Sequence, residues 1–390
     1  MDFRNVNSLN VRMNYITGNL LPLTPSVSRY SIAWRLYASL MWLIQIAQLS
    51  ILIPGFFLVS REKAVGEGTL IFVLTIEVFF IAGQIQTRRK LVNRFIQELN
   101  DILRIEDEIM KEIVATTIKP MNIPLRYYSV VGSFCVFVWF LLPFLIIFEK
   151  RNFFYEDFKM PAAFSNQPFS TQTFVLGSSL ILIGNIHIFL KKCGLYVYII
   201  HIMLMITAQY RYIAKNLATI FRNADKRHEL GEAYKTEQWT ENALKTLCRR
   251  HTIVTRLSII LRGILSSSLN MLYINSVLRF CFTAVLFTTV LSASFIEVLL
   301  VTVYSSGSII EFYMLCSCVQ QLQDASTEIT DEAFHEKWYR FGPSIRRTFM
   351  LMILANKLGC KLSTCEKFSL SLSSFMTILN QSYSIALVLL

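Results

Sequence analysis

The forty residues Thr171–Tyr210, TQTFVLGSSLILIGNIHIFLKKCGLYVYIIHIMLMITAQY, decide how this chain is threaded. Lys191 and Lys192 divide them into two apolar stretches, each close to the roughly 20 residues that a helical membrane crossing needs. They read either as two spans joined by a tight turn or as one very long helix that leaves the lipid near the lysines. The flanking charges choose between these. Downstream, Arg211, Lys215, Arg222, Lys226 and Arg227, then Arg249, Arg250, Arg256 and Arg262, form the most basic link of the chain, and such links stay on the cytoplasmic side. Upstream, Glu149 to Gln172 balances Lys150, Arg151 and Lys159 against Glu149, Glu156 and Asp157, as an outside link does. One crossing separates the two links, so a single long helix is expected.

Working outward, further apolar runs occupy Leu36 to Val59, Gly68 to Thr87 (interrupted by Glu77), Tyr127 to Phe148, Phe280 to Ile296, Val298 to Ile310 and Phe368 to Leu390. The second ends in Arg88, Arg89, Lys90 and Arg94, while the link from Arg61 to Glu67 is balanced, so the N-terminus, with Arg4, Arg12, Arg29 and Arg35, is expected inside. Span five is expected from about Val277 to Val303 and span six from about Tyr304 to Leu322. The helix after Pro343, Ser344 to Leu358, is too short and too charged to cross. The expected fold is therefore an all-α polytopic membrane protein with seven transmembrane helices, a cytoplasmic N-terminus, an extracellular C-terminus and a cytoplasmic helical anchor domain. Its divisions are an N-terminal segment (1–34), spans one to four (35–210), a helical cytoplasmic extension (211–272), spans five and six (273–323), an anchor loop with a short helix (324–362) and span seven (363–390).

Composition agrees: 54% of the 390 residues are hydrophobic and 16% charged, with a mean hydropathy of +0.47, against about a quarter charged in soluble domains. The net charge of +12 sits between apolar runs rather than on one patch, which points to membrane orientation and away from nucleic acid. The first 34 residues lack the pattern of a secretory signal, so the first span is expected to target the chain. Eight cysteines form no Cys-x-x-Cys pair and read as small hydrophobes, and the sequon at Asn380 falls inside the last apolar run.

No phosphate loop, His-Glu-x-x-His or Gly-x-Ser-x-Gly occurs, so no catalytic residue, cofactor or metal is expected. Cys248 and His251 lack further ligands nearby. His187 and His201 lie in the long fourth helix, where packing or a hydrogen bond accounts for them. Glu77 in span two, Glu297 in span five and Glu311 in span six are costly in lipid and must face protein or water, either as bonds between helices or as part of a wet vestibule or polar anchor. Leu244, Leu247, Val254, Leu257, Leu261 and Leu265 make one face of a cytoplasmic helix that lies on the membrane surface or packs on neighbouring helices. An apolar pocket in the outer halves of spans two to six is expected among Phe72, Trp139, Phe174, Tyr304, Phe312 and Tyr313, with Ser179 and Ser308 as polar groups.

The end of the chain, SLSSFMTILNQSYSIALVLL (371–390), carries no charge, yet Ser374, Thr377, Gln381 and Ser384 recur at helical steps in a stripe that ends at Val388. Such a stripe either bonds neighbouring helices within one subunit or, in a ring of subunits, lines a pore with Val388 as an apolar constriction.

CSCVQQLQDASTEITDEAFHEKWYRF (316–341) and FSLSLSSFMTILNQSYS (368–384) resemble the C-terminal signature of the insect odorant receptor family. The shared features are a Cys-rich end of span six, Ser326-Thr327-Glu328, Trp338-Tyr339 and the run closing on Ser382-Tyr383-Ser384. Asn380-Gln381 and Lys191-Lys192 depart from the family pattern. The resemblance implies a variable odorant-binding subunit of a ligand-gated, non-selective cation channel. Such a subunit joins a common co-receptor in a heterotetramer, admits Na, K and Ca ions, and sits in the plasma membrane of olfactory sensory neuron dendrites among membrane lipid. Thr377, Gln381, Ser384 and Val388 are then pore and gate, and a small volatile molecule is the ligand. A gustatory-type receptor is the alternative, but its Thr-Tyr-x-x-x-x-x-Gln-Phe ending is absent; a transporter would show internal repeats, and none is visible.

Overall fold

The computed structural model describes residues 1–23, 31–104, 107–164, 166–229, 233–291, 294–336, 338–357 and 370–389. The principal helices are α1 (Ser8–Thr17), α2 (Ile32–Gly55), α3 (Thr69–Thr87), α4 (Arg89–Leu103), α5 (Glu108–Leu141), α6 (Thr171–Glu229), α7 (Ala233–Val290), α8 (Phe295–His335), α9 (Pro343–Lys357) and α10 (Leu372–Leu389). Among the described residues the only β-type pairing is an isolated bridge between Phe153 and Phe169. Among the described residues, six segments are long and apolar enough to cross a membrane: Ile32–Gly55, Arg61–Thr87, Glu108–Ile146, Thr171–Arg227, Lys235–Val290 and Phe295–Glu332. The seventh apolar helix, α10, has 18 residues, about 27 Å at 1.5 Å per residue. The protein is an all-helical, multi-pass membrane protein.

Helix α6 runs through both lysines without a break for 59 residues. At about 90 Å it is some three times the thickness of the lipid core. The side chains of Lys191 and Lys192 are both buried in protein. Lys191 donates through Nζ to the carbonyl of Thr17 (2.8 Å) and sits 4.0 Å over the Trp42 ring. Gly18 makes that approach possible: its φ of +63° turns the chain at the end of α1, and a Cβ there would lie 3.0 Å from the Cα of Ala38.

The boundary between spans five and six differs from the expectation of a turn near Val303. Helix α7 ends at Val290 and α8 starts at Phe295, with Ser294 capping it by accepting from the Glu297 amide (3.4 Å). Ser294-x-x-Glu297 is a helix-start pattern, which hydropathy averaged over both spans hides. Glu297 is thus in the first turn of α8 rather than inside span five, and it pairs with Lys159 at 3.0 Å.

In the first half of α7, Leu244, Leu247, Val254, Leu257, Leu261 and Leu265 are all buried. That face of α7 packs on other helices and does not lie on lipid. Cys360, Cys365 and the start of the expected span seven fall outside the described residues.

Candidate functional site

Between α3, α5, α6, α7 and α8 lies a small cavity of about 80 Å³, below the roughly 300–1,000 Å³ of drug-sized sites and suited to a small molecule. Its wall is almost wholly apolar and includes Leu70, Ile71, Val136, Phe189, Leu286 and Val301, with Trp139 and Tyr304 as its amphipathic rings. Burying a small apolar molecule here removes its surface from water at a gain of about 0.8 kcal/mol per CH₂.

Ionic layers bound the cavity at both ends. On the outer side, Glu67 reaches the wall and pairs with Lys63 (3.3 Å), while Lys159 bridges Glu67 (3.8 Å) and Glu297 (3.0 Å) and lies 4.8 Å over the Trp139 ring. Above this, Phe153, Phe158 and Phe169 of the outer loop pack on Phe174, with the Phe153 and Phe174 rings stacked at 4.2 Å. On the inner side, Glu311 Oε2 accepts from Lys192 (2.6 Å), Arg279 (3.0 Å) and the Tyr128 hydroxyl (2.7 Å). Lys192, Arg279 and Glu311 are each about 1% exposed. This bond set ties together α5, α6, α7 and α8. Glu77, also buried, accepts from Asn275 (3.4 Å).

Of the residues singled out for a pocket, Trp139 and Tyr304 line the cavity. Phe174 supports the outer loop, Phe72 packs edge-on against Phe56, and Ser179 is half-buried outside the wall. Ser308 is buried one turn below Tyr304. Phe312 and Tyr313 instead meet the last helix: Phe312 stacks on Phe375 at 5.8 Å and Tyr313 meets the same ring edge-on at 5.7 Å. One residue of α8 therefore anchors the inner ionic layer and the next touches α10. His187 and His201 are held by hydrogen bonding to Tyr37 (3.2 Å) and Asn122 (2.9 Å).

Helix α10 buries Ile378, Ser382 and Ala386, at steps of four, against its own bundle. Thr377, Gln381, Ser384 and Val388 lie on exposed positions, Val388 at 85%. Tyr273 donates weakly to Gln381 (3.4 Å) from α7.

A family model described as 7tm Odorant receptor matches residues 68–383. The chain belongs to the odorant receptor family. Two solved structures of an odorant receptor share its fold over nearly the whole length. The insect olfactory receptor OR5 from Machilis hrabei aligns at a TM-score of 0.81 with 14% identity, covering 99% of this chain and 98% of that one. The same receptor in complex with eugenol aligns at 0.78 with 14% identity, covering 100% and 99%. No curated protein sequence matches the chain.

Sequence reasoning missed Lys192 and Arg279 as members of the inner layer. The signal was present: two cations and two carboxylates, Glu77 and Glu311, all lie within apolar runs where each needs a partner. Counting them together rather than one at a time pairs them.

Proposed function

We propose that this odorant receptor is a ligand-binding subunit of a ligand-gated, non-selective cation channel. A small, mainly apolar volatile molecule binds in the cavity walled by Trp139 and Tyr304, in the outer half of the bundle. Binding opens a pore lined by α10, with Thr377, Gln381 and Ser384 wetted and Val388 in the closed gate, through which Na, K and Ca ions pass. The assembly is a heterotetramer with the co-receptor subunit, and it works in the plasma membrane of olfactory neuron dendrites. In this reading the N-terminus, 211–272 and 324–362 are cytoplasmic, the last two as the anchor between subunits.

The observation that carries the reading is the polar stripe of α10, exposed at Thr377, Gln381 and Ser384 and touched by its own bundle only through the weak bond from Tyr273 to Gln381. Thr377 and Ser384 donate to the carbonyls of Ser373 and Asn380, but their remaining lone pairs and the Gln381 amide are poorly solvated in lipid, which favours water or a neighbouring subunit beside the stripe. The relative that binds eugenol lends support to a small-molecule ligand in the cavity. Recording odorant-evoked current from cells that express this chain with and without the co-receptor tests it: current is expected only with both. Cysteines placed one at a time at 377, 381, 384 and 388 should slow or block that current when modified by a small thiol reagent. Labelling at all four positions with unchanged current would show that the stripe only binds helices together.

A further inference from the structure

One or two turns inward from the cavity, four of the five helices that wall it, α3, α6, α7 and α8, change from apolar to charged, and α5 adds the Tyr128 hydroxyl. Leu74, Ile188, Tyr304 and Leu286 line the cavity. Glu77 stands three residues after Leu74, Lys192 four after Ile188, Ser308 and Glu311 four and seven after Tyr304, and Arg279 seven before Leu286. These spacings keep each residue on the helix face that looks at the cavity. Tyr304 belongs to both layers: its ring is part of the cavity wall, and its hydroxyl lies in the field of Arg279, Glu311 and Glu77.

The cluster is balanced in charge but not in hydrogen bonds. Lys192 and Arg279 oppose Glu77 and Glu311, two against two, and all four are buried. With the bonds to Glu311 Oε2 and Glu77 Oε2 made, the remaining donors Arg279 Nε and Nη2 have no partner. Nor does the acceptor Glu311 Oε1, while Glu77 Oε1 has the Tyr196 hydroxyl beside it, and the Tyr304 hydroxyl that of Ser308, without a well-formed hydrogen bond in either pair. Buried polar groups are rarely left so, because each forfeits its hydration without return. Unused donors and acceptors within one buried cluster match a group that both donates and accepts. A hydroxyl does this, whereas a hydrocarbon does neither. A carboxylate or an ammonium would unbalance a neutral cluster far from water.

We propose that this cluster is the polar subsite of the cavity and takes the hydroxyl of a neutral alcohol or phenol, whose carbon skeleton lies against Trp139 and the apolar wall. Tyr304 is the residue through which the ligand oxygen meets the charged layer, and so the main determinant of specificity for it. The inference rests on the cavity being the ligand site.

The test is equilibrium displacement of an apolar fluorescent probe from the detergent-solubilised receptor and co-receptor complex. The competitors are 1-hexanol, 1-octanol and 1-decanol, the alkanes of equal length and the matching carboxylates. Two variants are compared with the parent. Tyr304→Phe removes only the hydroxyl and keeps the ring, and Leu300→Trp fills the cavity. At the best chain length the alcohol is expected to bind about tenfold or more tightly than the alkane, with the carboxylate weakest. Tyr304→Phe should lower alcohol affinity by about tenfold and leave alkane affinity unchanged. Equal binding of alcohol and alkane, unaffected by Tyr304→Phe but abolished by Leu300→Trp, overturns the subsite and leaves the cavity reading standing. Binding that Leu300→Trp leaves intact in a complex that still elutes as a single assembly overturns both. Failure of every alcohol to displace the probe overturns the inference as well.

Discussion

The middle of α6 and the whole of α10 are both apolar helices, yet they are built for opposite surroundings. From Lys191 to Tyr210 every residue of α6 is buried within one subunit, including two lysines, a histidine and a glutamine. In α10 only Ile378, Ser382 and Ala386 are buried among 372–388. Exposed leucine or valine on a membrane helix says little, since lipid accepts it. Exposed Thr377, Gln381 and Ser384 say more, because lipid does not. The difference teaches that α6 is a spine completed by its own chain, whereas α10 leaves most of its surface, polar groups included, uncovered by its own chain.

The largest way to break this contrast is at the inner ionic layer. Glu311→Leu leaves Lys192 and Arg279 buried without their shared carboxylate and is expected to cost about 3–5 kcal/mol, seen as loss of the monodisperse peak in size-exclusion chromatography and of surface delivery. A variant that folds and traffics normally would mean the spine tolerates unpaired charge. Next, Leu204→Ala should destabilise the subunit by about 2–5 kcal/mol through the void it leaves, while Leu387→Ala should stay within about 0.5 kcal/mol in a thermal melt. Equal losses would erase the distinction between the helices.

A smaller, sharper effect is expected at Val388. Replacing it by Ser keeps a potential constriction wet and should raise ligand-independent current roughly twofold or more, with no change in melting temperature. Smallest of all, Gln381→Glu should move the reversal potential toward that of divalent cations by about a few millivolts, leaving the odorant dose dependence in place. An altered dose dependence without altered permeation would assign Gln381 to coupling instead.

Much of the architecture was legible because it follows from solvent. Uninterrupted apolar length and the asymmetry of basic links led to a single long fourth helix and to the helical, multi-pass class. The Leu244 to Leu265 stripe marked an apolar face but left open whether membrane surface or neighbouring helices cover it, and burial decides for helices. Hydropathy failed where it averages: the turn after Val290 lay inside one long apolar region, and only the Ser294 and Glu297 cap marks it. The cavity was half legible. Aromatic rings identify residues able to wall a pocket, but which of them do so depends on helix rotation, so Trp139 and Tyr304 reach it while Phe174 and Phe312 hold other contacts.

The inner ionic layer also bears on how the protein is made. Glu77 enters the membrane first, on α3, then Lys192 on α6 and Arg279 on α7, and Glu311 comes last, on α8. During synthesis the two cations therefore meet lipid before their final carboxylate exists, with Glu77 as the earlier counter-charge available to them. A chain cut short before residue 311 therefore leaves Lys192 and Arg279 without the carboxylate that both contact in the finished bundle.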